Sequence, residues 1–101
     1  MVALSGTFQS PDGAGIANGT LVISLSQAAL VEGTSWISPT RIFVTLNNIG
    51  QIPGGVSVYG LDVLTPAEDL VYSYFVLNAI GSRVIPPTIF IPTGSSYNFN
   101  S

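Results

Sequence analysis

The chain has 101 residues, enough for one domain with a single modest core. Hydrophobic residues make up 47% of it and charged residues only 7%, against roughly 25% in an ordinary soluble domain, so it is not a disordered chain and carries an unusually thin charged coat. Its formal net charge is −3 and its two cations are Arg41 and Arg83; a nucleic-acid binder or a ligand of anionic membranes needs many more, which excludes both classes.

Strand signals dominate from the first residues. Val2-Ala3-Leu4-Ser5-Gly6-Thr7-Phe8-Gln9 alternates, with Val2, Leu4 and Phe8 on one face, which is the period of a half-buried strand. Ser10-Pro11-Asp12-Gly13 then has tight-turn chemistry, proline presetting one φ and glycine free to take a positive one. A second strand is predicted from Thr20 to Ser26, with Leu21, Ile23 and Leu25 facing inward. Gln27 to Gly33 is too short for a stable helix and is expected as a loop. Trp36 is expected in the core, because so small a domain has few other bulky fillers. Arg41 to Leu46 is a β-branched strand, and Asn47 to Gln51 is a turn of residues tolerant of left-handed backbone. Short strands are predicted at Val56–Tyr59 and Asp62–Leu64, followed by a turn or one helical turn over Thr65–Asp69, capped by Thr65 with Pro66 at the first helical position. Leu70 to Leu77 is apolar enough for a central strand covered on both faces. Ala79–Ser82 turns the chain, Pro86-Pro87 enforces extended backbone, and Thr88-Ile89-Phe90-Ile91 is the last predicted strand.

Seven or so short strands, with turn signals about every ten residues, predict an all-β chain folded as a single small β-sandwich, Ig-like or transthyretin-like. The expected domain is 1–91, with an extended C-terminal tail over 92–101.

The chemistry-bearing residue types are sparse. Histidine, cysteine and lysine are absent, which removes imidazole and thiol catalysis, zinc patterns, Schiff bases and the phosphate-loop lysine together. The carboxylates Asp12, Glu32, Asp62, Glu68 and Asp69 fall largely in turns and show neither a facing catalytic pair nor the dense alternation of a calcium loop. Gly13-Ala14-Gly15 and Gly54-Gly55 open no helix, so they are hinges rather than phosphate cradles. The expectation is therefore no enzyme, no cofactor and no metal. Trp36, Tyr59, Tyr72, Tyr74 and Tyr97 supply the one binding signal, either as core fillers or as a sugar-stacking or protein-contact platform. The residues expected to contact neighbouring subunits are Thr88, Ile89, Phe90 and Ile91, bounded by proline, and Tyr97 and Phe99 near the terminus.

The opening run, Gly6-Thr7-Phe8 through Asp12-Gly13, Ala17-Asn18-Gly19-Thr20 and Leu21-Val22-Ile23-Ser24-Leu25, resembles the first hairpin of carboxypeptidase-regulatory-like sandwich modules. Thr45 to Pro53, Val58 to Pro66 and Tyr72 to Asn78 resemble small β-rich structural proteins of tailed bacteriophages. That resemblance implies a virion subunit in a tail, collar, fibre or capsid decoration, with copies of itself and other virion proteins as partners. The N-terminal run lacks a basic region and a long apolar core, so no signal peptide is expected, and phage proteins reach the exterior by lysis without one. The alternatives are an extracellular fibre subunit polymerising by strand exchange and a module making glycan contacts through exposed aromatics.

Overall fold

The computed structural model describes residues 1–31, 34–65 and 70–100. The chain is all-β and sandwich-like, with no α-helix among the described residues. Among the described residues ten strands occur in chain order: β1 (Val2–Ser5), β2 (Thr20–Leu25), β3 (Ala29–Val31), β4 (Ser35–Ile37), β5 (Ile42–Thr45), β6 (Ser57–Val58), β7 (Leu64–Thr65), β8 (Tyr72–Leu77), β9 (Arg83–Phe90) and β10 (Ser96–Asn98), with one 3-10 turn at Leu61–Val63. They form a four-stranded antiparallel sheet in the order β5-β2-β8-β9 and two three-stranded sheets, β10-β1-β6 and β4-β3-β7.

The period-2 pattern explains the layering. Leu21, Ile23 and Leu25 of β2 point to one face of the large sheet, together with Val44 of β5, Tyr72 and Val76 of β8 and Phe90 of β9. All are buried against Val2 and Leu4 of β1 and Val58 of β6. Burying one such aliphatic side chain contributes about 1.5–3 kcal/mol, so this shared layer is what holds the two sheets together.

Several sequence expectations change. The predicted first strand stops at Ser5, where Gly6 takes φ 148°, and continues only as isolated bridges, Thr7 to Gln51 and Gln9 to Gly15. The expected loop at Gln27–Gly33 contains strand β3, whose three residues are held on one side by the neighbouring strand β4 and on the other by the distant β7. Leu61–Val63 is a 3-10 turn, so the strand predicted from Asp62 is confined to Leu64–Thr65. The turn expected over Thr65–Asp69 lies, beyond Thr65, outside the described residues. The last strand, expected over Thr88–Ile91, begins already at Arg83 and includes Pro86-Pro87. β9 runs unbroken for eight residues along the edge of the large sheet, where a missing N–H costs no ladder bond. It accommodates the proline pair through two register shifts, since Tyr74 pairs with Thr88, Val76 with Ile85 and Leu77 with Arg83.

The segment expected as a tail belongs to the domain. β10 pairs in parallel with β1, Ala3 opposite Ser96 and Leu4 opposite Tyr97. The Asn100 side chain then extends the ladder: its Oδ1 accepts from the Thr7 N–H at 2.6 Å and its Nδ2 donates to the Thr7 carbonyl at 2.9 Å. Phe99 sits among Phe8, Tyr74, Phe90 and Tyr97, with ring centroids 4.8–5.7 Å apart.

Candidate assembly surface

Residues out of phase with the core point to the opposite face of the large sheet. Register places Val22 of β2 between Phe43 of β5 and Phe75 of β8, and Ser73 of β8 between Ser24 and Ile89. This cross-strand row buries Val22 to 1% exposure although it faces away from the core. On the same face Phe75 is half-buried, while Phe43 is 66% and Ile89, beside Ser73, 63% exposed. Ser24 and Ser73 share a hydroxyl–hydroxyl hydrogen bond of 3.1 Å in the next row.

Both cations of the chain stand on this face. Arg41 shares the outward phase of Phe43 and reaches across β2, placing its guanidinium carbon 5.5 Å from the Phe75 ring centroid. Arg83 approaches the same ring from β9, at 4.9 Å. A guanidinium within about 6 Å of an aromatic face is attracted by the ring quadrupole. Two on one ring repel each other, being no more than about 10 Å apart, roughly the Debye length at 0.1 M salt. Neither has a carboxylate partner among the described residues.

A second feature lies at the end of the large sheet where β2 finishes and β5 and β8 begin. A cleft of about 250 Å³ is lined by Ile23, Leu25, Ile42, Val58, Tyr59 and Tyr72, among others. The Tyr72 hydroxyl donates to the Tyr59 carbonyl at 2.7 Å, and burial pushes that phenol up to about 12. The lining carries no charged side chain, so the cleft suits one aliphatic or aromatic group and not acid–base chemistry. Among the described residues no three His, Cys, Asp or Glu side chains converge on a metal-sized site.

The residues predicted as contacts divide. Thr88, Ile89 and Ile91 are exposed, and Ile89 lies on the outer face described above. Phe90 is only 3% exposed and belongs to the protein's own core. Tyr97 and Phe99 are half-buried and pack within their own chain. Trp36, expected in the core, is 69% exposed on the edge strand β4. Sequence reasoning missed Arg41, Phe43, Phe75 and Arg83 as a group. The available signal was phase: Arg41 and Phe43 alternate against Ile42 and Val44, and Phe75 against Tyr74 and Val76. Compared with known proteins, the chain matches no family model, no curated protein and no solved structure.

Proposed function

We propose that the chain is a non-enzymatic structural subunit of a bacteriophage virion, working through protein–protein contacts in a tail, collar, fibre or capsid decoration. The observation that carries the assembly part of this reading is the outer face of the large sheet, where Phe43 and Ile89 stand exposed beside Val22, Phe75 and two arginines that meet no carboxylate among the described residues. An apolar face with organised charge gains free energy when a partner covers it, at about 25 cal/mol per Å² of apolar surface removed from water. A chain with 7% charged residues and no histidine, cysteine or lysine has little to offer as a catalyst and little charge to keep such a face solvated. The virion assignment rests on the resemblance of the segments Thr45–Pro53, Val58–Pro66 and Tyr72–Asn78 to phage structural proteins. The test is mass spectrometry and immunogold electron microscopy of particles banded from a lysate of the host carrying the gene. The chain is expected in the particle band at a fixed ratio to the major capsid protein; recovery only from the soluble fraction would refute the proposal.

One observation favours a second reading. Trp36, exposed on an edge strand, has the exposure of a sugar-stacking platform. Binding on a glycan array that is lost in Trp36→Ala would move the assignment to a carbohydrate-binding module.

A further inference from the structure

The two arginines are the only cationic side chains in the sequence, and among the described residues neither meets a carboxylate. None of the five acidic residues falls within β2, β5, β8 or β9, so the large sheet has cations on its outer face and no carboxylate in its strands. Both cationic side chains of this −3 chain are committed to that one face, so no other face carries an arginine or lysine. Asp12 and Asp62, the described acids, are both exposed.

We propose that this face docks a second copy of the chain head to tail: the Arg41–Phe75–Arg83 platform of one copy receives a carboxylate-bearing surface of the next. The inference rests on the assembly reading above and specifies its geometry. Charge decides between the two ways a copy could bind. Symmetric face-to-face docking would set four guanidiniums together over two phenyl rings with no carboxylate supplied by either sheet, and like charges in a desolvated contact are strongly unfavourable. Any other face of a copy brings no arginine or lysine, and the exposed Asp12 and Asp62 both lie outside the large sheet. A guanidinium already stacked on a ring is held in place, so little side-chain freedom is lost when a carboxylate meets its free N–H groups. Phe43 and Ile89 would supply the apolar area around that contact. Such an interface uses different surfaces on the two partners, so each added copy leaves one of each surface open. The result is a ring if the rotation closes and a filament if it does not.

Sedimentation velocity of the full chain across a concentration series, at about 0.05 M and about 0.5 M NaCl, tests this. At low salt, species beyond the dimer are expected to grow with concentration, and at high salt to dissociate. Arg41→Gln/Arg83→Gln is expected to weaken association roughly tenfold or more with an unchanged thermal midpoint, while Arg41→Lys/Arg83→Lys retains most of it. Arg41→Glu/Arg83→Glu keeps the acidic surface and loses the receiving one, so small amounts added to the native chain should cap assemblies and shorten them. A chain that is monomeric at both salts, association that stops at a dimer, or association indifferent to the Arg→Gln changes would each overturn the inference. If the chain is found in particles and the arginine variants assemble normally, only this inference falls. If arginine-dependent oligomers form but the chain is absent from particles, the virion assignment falls and this inference stands.

Discussion

Two loops with the same five-residue pattern show how context sets the cost of a single residue. Asn47-Asn48-Ile49-Gly50-Gln51 and Asn78-Ala79-Ile80-Gly81-Ser82 fold alike. The Asn Oδ1 accepts from the backbone N–H groups two and four residues on, and the glycine N–H bonds the Asn carbonyl. Both glycines take a positive φ, 78° at Gly50 and 90° at Gly81. A Cβ at Gly81 would meet open space, so Gly81→Ala should cost only backbone strain, about 1 kcal/mol, or about 4–8 °C in thermal midpoint. A Cβ at Gly50 would stand 2.5 Å from the Phe8 carbonyl oxygen and 2.6 Å from the Ile16 nitrogen, backbone atoms that cannot swing aside. Gly50→Ala should therefore cost about 3 kcal/mol or more, and equal midpoints for the two variants would contradict the packing. Tyr72 gives a pH signature at the same scale. Burial raises its folded pKa from 10.0 to about 12, so the neutral phenol is favoured in the folded state. Its contribution is fully present below pH 10 and is lost as pH rises from 10 toward 12. Tyr72→Phe should flatten that part of the stability–pH curve by about 2–3 kcal/mol; a steep loss persisting in the variant would assign it to other groups.

Among the elements, β10 carries more structural weight than its three residues suggest. It joins the N-terminal strand to the far end of the chain, the Thr7–Asn100 hydrogen bonds spanning 93 positions. Asn100→Ala should cost about 1–2 kcal/mol in urea unfolding through those two bonds, and Phe99→Ala about 3 kcal/mol through the aromatic cluster. A neutral effect of both would mean that the segment is not docked. β9 is the contrasting case, a long exposed edge that Pro86-Pro87 denies to a pairing strand. Pro86→Thr/Pro87→Thr should leave the thermal midpoint within a few degrees yet raise light scattering and fibril-dye binding on incubation; a variant as soluble as the native chain would remove the prolines' protective role. These two strands also mark where the sequence stops being informative. β2 was legible because Leu21, Ile23 and Leu25 alternate cleanly within one strand. β3 and β10 were not, because three-residue strands such as Ser96-Tyr97-Asn98 carry too little alternation, and each depends on a partner distant in the chain, β7 for β3 and β1 for β10. The Arg41–Phe75–Arg83 group was legible only in the phase of its members: Arg41 precedes β5, Phe75 lies on β8 and Arg83 on β9, and register alone brings them together.

For the molecule as a whole, Trp36 is the residue that reports on what covers the surface. It is the sole tryptophan, and at 69% exposure on β4 it should behave as a solvated indole. In the dilute monomer its emission should sit near that of free tryptophan, iodide should quench it efficiently, and unfolding in urea should shift it little. Core placement, the natural expectation for the single bulkiest side chain in a small sandwich, requires the reverse: blue-shifted, protected emission that moves red on unfolding. The same signal separates the two functional readings. A sugar stacking on the indole would blue-shift and protect Trp36 in the Arg41→Gln/Arg83→Gln variant as fully as in the native chain, because the arginines lie on a different sheet. Protection that appears only with rising protein concentration, and disappears with the arginines, would instead place Trp36 under the next copy of the chain and identify part of the surface that meets the arginine face.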